Sequence, residues 1–213
     1  MKITKLGHCA LVLEIGEVKL LTDPGSFTTE AQELQTGLHA IVITHEHQDH
    51  YHVESVKKLL TTNPGVRVIT NSAVVALLQK EGIVAEVVGD GQSGEVNGIT
   101  IEGYGTLHAE IYKELGQVEN TGYMIAGRLY YPGDAFHSPG KEVDILALPV
   151  AGPWAKVIDT VDFAKEVKAR IAFGVHDGMI VPTSRSGSLL RALEKYVPET
   201  EYVTLADGES REF

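Results

Sequence analysis

A chain of 213 residues, 43% hydrophobic and 22% charged, has the material of one ordinary globular domain with a sizeable core. Its 29 acidic against 18 basic residues give a formal charge of −11 with histidine neutral, which speaks against a nucleic-acid binder holding phosphates through Lys and Arg. No apolar run reaches the roughly 18 residues of a membrane helix, the start MKITKLGH has no signal-type apolar region, and one cysteine excludes an internal disulfide, so a cytoplasmic location is expected.

Three short strands open the chain, over residues 2–5, 10–15 and 18–22, the last two joined by Gly16 and Glu17 as a two-residue hairpin turn. Cys9, between the first two, stands in no recognisable Cys/His arrangement, and a cysteine-based metal site is not expected. Asp23-Pro24-Gly25 ends the hairpin with a carboxylate suited to capping the loop or to orienting a metal-binding histidine. Residues 26–37 are polar without a period and are expected at a cleft rim.

Residues 38–43 are an apolar run whose end is β-branched, a buried strand. It delivers Thr44-His45-Glu46-His47-Gln48-Asp49-His50, three imidazoles and a carboxylate in the pattern H-x-H-x-D-H. Neutral imidazole and carboxylate are ligands of zinc and other divalent first-row metals, and a strand end holds them rigidly. In an extended segment His45 and His47 point to one side and can share an ion. Asp49 and His50 sit at the turn into the next helix, point elsewhere and suit a second ion.

Val53, Val56, Leu59 and Leu60 mark one face of a helix that Asn63-Pro64-Gly65 stops. A strand at 66–70, a second helix over 73–80 capped by Asn71 or Ser72, and a strand at 83–88 follow. This alternation predicts parallel pairing with helices outside. The glycine-rich stretch 89–94 is the expected internal boundary. Beyond it, strands are read at 95–96, 99–104, 121–126, 129–131, 144–150 and 170–175, and helices at 160–168 and 186–196, while 198–213 carries no assignment.

Three further pieces complete a signature: Leu107-His108, Gly133-Asp134 after a strand, and Val175-His176-Asp177. With the first loop, they make the sequence resemble the metallo-β-lactamase-fold metallohydrolases. Leu6-Gly7-His8-Cys9-Ala10 and Leu21-Thr22-Asp23-Pro24-Gly25 are similar to the branch that includes the ascorbate-phosphate lactonases. Periodicity alone gives a mixed α/β class. The resemblance implies an αββα four-layer sandwich, two mixed β-sheets face to face with helices outside. It also implies that His45, His47 and His108 bind a first ion, that Asp49, His50 and His176 bind a second, and that Asp134 bridges them. His8 is implied to face the cleft as a catalytic group, against the alternative of a satisfied structural histidine.

The chemistry expected of this set is hydrolysis. Two divalent ions about 3.5–4 Å apart make hydroxide from a shared water and polarise a carbonyl or phosphoryl oxygen. Zinc suits the ligands first, with Mn or Fe as alternatives. Asp49 would orient the nucleophile, and His137, three residues after Asp134, is the candidate leaving-group acid or else a surface histidine. The expected partner is a small molecule with an ester, lactone or phosphoester bond, an anionic one included. Lys113, Arg128, Lys141 and Lys156 are candidate anion-binding groups or solvated charges, and Trp154 walls the cleft or packs in the core. No nucleic acid or membrane partner is expected. Competing readings are an iron oxidoreductase of the same fold, such as a persulfide dioxygenase or a diiron reductase, and a non-catalytic metal-binding module.

Overall fold

Among the described residues two seven-stranded sheets form; the switch from the first to the second falls at the glycine-rich stretch after residue 88, and the last strand returns to the first. The computed structural model describes residues 1–115, 117–180 and 187–213; Ser186, the expected start of the last helix, lies outside them. The first half contributes β1 (Lys2–Gly7), β2 (Ala10–Ile15), β3 (Val18–Thr22), α1 (Thr29–Glu33), β4 (Ala40–Ile43), α2 (Val53–Thr62), β5 (Arg67–Thr70), α3 (Ser72–Lys80) and β6 (Glu86–Val87). The second contributes β7 (Ser93–Val96), β8 (Ile99–Tyr104), β9 (Gly122–Ile125), β10 (Leu129–Tyr131), β11 (Ile145–Pro149), α4 (Val157–Val167), β12 (Ile171–Val175), α5 (Ser188–Tyr196), β13 (Glu201–Val203) and β14 (Ser210–Glu212).

The hairpin of β2 and β3 forms as expected, with Ile15 opposite Val18 across the Gly16-Glu17 turn. From β3 to β6 the first sheet is parallel, because α2 and α3 cross over between its strands. Asn71 caps α3 by accepting the Val74 amide at 3.0 Å. The strand expected over 83–88 shortens to β6, since the Ile83 amide is still bonded to Leu78 at the end of α3. Residues 26–37 include the short α1 (Thr29–Glu33), and Phe27 just before it lines the cleft, as expected of a rim segment. α4 starts at Val157, earlier than its apolar spacing suggests, because the Lys156 amide donates to Asp159 and closes the first turn.

The unassigned tail is structured. β13 extends the second sheet parallel to β12, and β14 crosses to the first sheet and pairs antiparallel with β1, Lys2 opposite Glu212.

Alternation within the strands decides the layers. Ile3, Leu11, Leu20, Val42 and Ile69 of the first sheet pack against Ile101, Tyr123, Tyr131, Ile145 and Phe173 of the second, forming the core between the sheets. Outside, Val56 and Leu59 of α2 with Val74 and Leu78 of α3 cover the first sheet. Val161, Ala164 and Leu193 of α4 and α5 cover the second. The result is the four-layer α/β sandwich. Among the described residues no helix is long and apolar enough to cross a membrane.

Candidate metal centre

The loops that leave β4, β8, β10 and β12 meet at one place, and each brings a buried imidazole or carboxylate. His45, His47, Asp49 and His50 come from the first, His108 from the second, Asp134 from the third and His176 from the fourth. The loop after β4 is bent rather than extended: the amides of His50 and Tyr51 both bond to the His47 carbonyl, at 2.9 and 2.8 Å. His45 and His47 still converge, with ring centroids 4.8 Å apart, and the same turn brings His50 to 4.1 Å from His45. Glycine makes room for this crowding. A Cβ on Gly25 would fall 1.8 Å from the Asp49 carbonyl oxygen, and one on Gly133 (φ +65°) 2.4 Å from Asn120 Oδ1, the acceptor of the Asp134 amide.

Asp23 is the buried anchor of the loop. Its carboxylate accepts the Thr44 amide, the Thr44 hydroxyl, His50 Nδ1 and the Tyr131 hydroxyl, each at 2.7 Å. Its position after β3 is therefore that of a group orienting a histidine. The hydrogen bonds fix three tautomers. Thr44 gives its proton to Asp23, so His45 Nδ1–H donates to Thr44 Oγ1 at 3.0 Å. His50 Nδ1–H donates to Asp23, and His108 Nδ1–H to the Ala109 carbonyl at 2.6 Å. In its neutral form each ring then carries the lone pair on Nε2.

Those lone pairs have no hydrogen-bond partner although they are buried, and the same holds for both ring nitrogens of His176. They gather around Asp134. His176 Nε2 lies 2.9 Å, His108 Nε2 3.3 Å and His45 Nε2 3.8 Å from its Oδ2, and His50 Nε2 lies 3.1 Å from Oδ1. One donor atom from each of His45, His47, His108 and Asp134 fits within 4.8 Å, as does a second group from His8, Cys9, His50 and His176. Orphaned lone pairs converging on a carboxylate are what a metal ion requires, so the donor set fits divalent cations. Asp49 Oδ2 stands beside the second group, 3.4 Å from His176 Nε2 and 3.8 Å from His50 Nε2.

Burial and charge act against each other here. Burial drives the His45 imidazole well below its ordinary range, and neighbouring His50 adds to this. Burial would lower His50 and His176 too, but for His50 Asp134, Cys9 and Asp23 outweigh it and hold it well above. For His176, Cys9 and Asp134 bring it to about 10. Asp134, which burial would raise, is held well below the carboxylate range by His50 and His176. The pocket calls for positive charge beside Asp134, and protons or divalent cations can supply it.

The centre opens into a cleft of about 220 Å³ with Phe27, Ile111, Pro153, Trp154 and Met179 on its walls. Trp154 Nε1–H donates to Asp134 Oδ2 at 3.1 Å, so it is both wall and support. His8 lies at the edge of the centre, its ring 4.3 Å from that of His176. Lys5, buried on β1, places its ammonium 2.8 Å from Asp177, the neighbour of His176, and so braces the loop after β12.

For several residues the structure selects the surface alternative, and for Cys9 it corrects the expectation. His137 is exposed, lies against Gly105 and does not line the cleft, because the chain turns away after Asp134. Of the candidate cations, Arg128 bonds to Asp144, Lys141 to Glu102, Lys113 lies over Tyr112, and Lys156 is exposed at the start of α4; none lines the cleft. Cys9 does stand in a Cys/His cluster, formed by residues far apart in the chain.

Comparison with known proteins agrees with this fold. Protein Rv0786c of Mycobacterium tuberculosis is 35% identical over 190 residues, covering 87% of this chain and 88% of that protein. A UPF0173 metal-dependent hydrolase of Aeropyrum pernix is 29% identical over 249 residues, covering 100% of this chain and 97% of that one. The solved structure of Igni18, a metallo hydrolase of Ignicoccus hospitalis, superposes with a TM-score of 0.75 at 18% identity, covering 100% of this chain and 98% of that one. Residues 2–176 match the family model described as beta-lactamase superfamily domain, and the chain belongs to that superfamily.

Proposed function

We propose that this chain is a metal-dependent hydrolase of a small molecule, cleaving a carboxylic ester or lactone in preference to a phosphoester. The observation that carries the reading is the set of unpartnered Nε2 lone pairs of His45, His50 and His108, joined by His176, around Asp134. His45, His47 and His108 would hold one divalent ion, Asp49, His50 and His176 a second, and Asp134 would reach both, with zinc the best match to the donors. When bound, such a pair supplies hydroxide from water at neutral pH and an electrophile for the oxygen on which charge develops.

The chain's own residues do the remaining work. Asp49 faces the cleft as a carboxylate and orients the attacking water by accepting its proton in a hydrogen bond. Trp154, Phe27 and Met179 exclude solvent around the reacting bond and present an apolar wall. No Lys or Arg lines the cleft among the described residues, which favours an uncharged acyl substrate over a phosphorylated one. The likeness to the Aeropyrum metal-dependent hydrolase supports the reaction class.

The test is elemental analysis of protein purified without added metal, together with hydrolysis of a lactone and of a bis-phosphodiester. Near two equivalents of zinc with lactone turnover are expected. One equivalent of iron without hydrolysis would move the reading to an oxidoreductase, and phosphodiester turnover alone would reverse the substrate preference.

A further inference from the structure

We infer that the thiol of Cys9 is an additional ligand of the second ion, so that this half of the centre carries a sulfur donor. The inference rests on the metal reading above and adds to it a donor outside the set of His45, His47, Asp49, His50, His108, Asp134 and His176. Donor atoms of Cys9, His8, His50 and His176 lie within 4.8 Å of one another. Donor atoms around a tetrahedral zinc ion stand roughly 3.3–3.8 Å apart, so the cluster is somewhat wider than one coordination sphere and would draw in by about an ångström on binding.

The hydrogen bonds then decide which members are available. His8 has both nitrogens engaged, Nδ1 accepting the Gly178 amide and Nε2 facing Asp49, each at 3.1 Å. His50 Nε2 and both nitrogens of His176 are buried without a partner. Cys9 is only 2% exposed, and its backbone is pinned because its carbonyl accepts the Thr22 and Tyr131 hydroxyls at 3.0 and 2.8 Å. The ordinary role of a buried thiol is that of a small apolar side chain, and Cys9 does touch the core between the sheets. Its company distinguishes it, since two buried histidines beside it have ring nitrogens without a hydrogen-bond partner. On coordination the S–H bond is exchanged for an S–metal bond and the proton leaves to solvent. The thiolate would bias this position toward zinc or cobalt over manganese or magnesium.

Cys9 is the one cysteine of the chain, so any thiolate-to-metal signal must come from it. The experiment is reconstitution of the metal-depleted full chain with two equivalents of Co(II), read by absorption. Wild type should show visible ligand-field bands from both ions and a near-ultraviolet thiolate-to-cobalt charge-transfer band. Cys9→Ser should keep the visible bands, lose the near-ultraviolet one, and bind the second equivalent of zinc roughly tenfold or more weakly. The wild-type spectrum decides even if the variant folds poorly. Two bound cobalt ions without the charge-transfer band would overturn the sulfur ligand and leave the hydrolase reading standing. Failure to bind cobalt at all would overturn both.

Discussion

The amide of Gly178 donates to Nδ1 of His8 at 3.1 Å, and this fixes the ring proton on Nε2, where it faces Asp49 at 3.1 Å. One imidazole therefore joins the loop after β1, the loop after β4 and the turn that follows His176, whose own amide bonds to the His8 carbonyl. His8 holds the Asp49 carboxylate, proposed above to orient water, in place from behind.

His8→Ala should lower kcat by roughly 10–100-fold, as loss of a supporting hydrogen bond does around a metal site, with KM and metal content little changed. Gly178→Ala should reproduce part of the loss, because the new Cβ would meet His8 Nδ1 at 2.9 Å. Steady-state kinetics paired with metal analysis checks both. An unchanged kcat in His8→Ala would remove its role toward Asp49.

Asp23→Asn keeps the shape of the side chain but faces His50 Nδ1–H, the Thr44 groups and Tyr131 with an amide in place of a carboxylate. A loss of about 1.5–3 kcal/mol in folding stability is expected, the range for hydrogen bonds to a charged group. Affinity for the second equivalent of metal should fall as well. Denaturant unfolding and metal titration measure the two effects separately.

His47 is the most exposed histidine of its group and lines the cleft, so its replacement should disturb packing least. His47→Ala is expected to lose one equivalent of metal and nearly all turnover while its melting temperature with that site empty stays close to that of metal-depleted wild type. Full activity in this variant would remove the mechanism proposed.

Asp144 ties β10, β11 and β12 together by accepting from Arg128 and Arg170. Burial would raise its carboxyl, but the two guanidinium groups hold it below the ordinary value. A carboxyl lowered on folding stabilises above its unfolded pKa, and that contribution is lost as pH falls through the folded one. Asp144→Asn should therefore cost about 0.5–1 kcal/mol at neutral pH, a modest figure because the arginines are largely exposed. The difference in melting temperature from wild type should shrink below about pH 4.

What was legible in the sequence was mostly local. The spacing of His45, His47, Asp49 and His50 at the end of an apolar strand marks the centre, and the turn they adopt only changes how they converge. Asp23 could be read as an orienting group because Asp-Pro-Gly follows a strand and points to a loop anchor. Cys9 could not, since the histidine that gives it meaning, His176, is brought near only by the packing of the two sheets. His137 could not be settled between acid and surface histidine for the opposite reason: proximity to Asp134 in sequence does not survive the turn after β10. The tail was silent because three-residue strands such as β13 and β14 are too short to show a period.

β14 has a consequence for how the molecule meets its own copies. By pairing with Lys2, Ile3 and Thr4 it covers the outer edge of β1, a row of amides and carbonyls that would otherwise be a template for strand addition. The same segment grips the backbone of Lys5 through Glu209 and Gly208, and Lys5 braces the loop of His176. Cutting the chain after Ala206 would therefore do two things at once: bare a sticky edge, and slacken the loop that carries His176. Self-association and weakened metal retention should appear together.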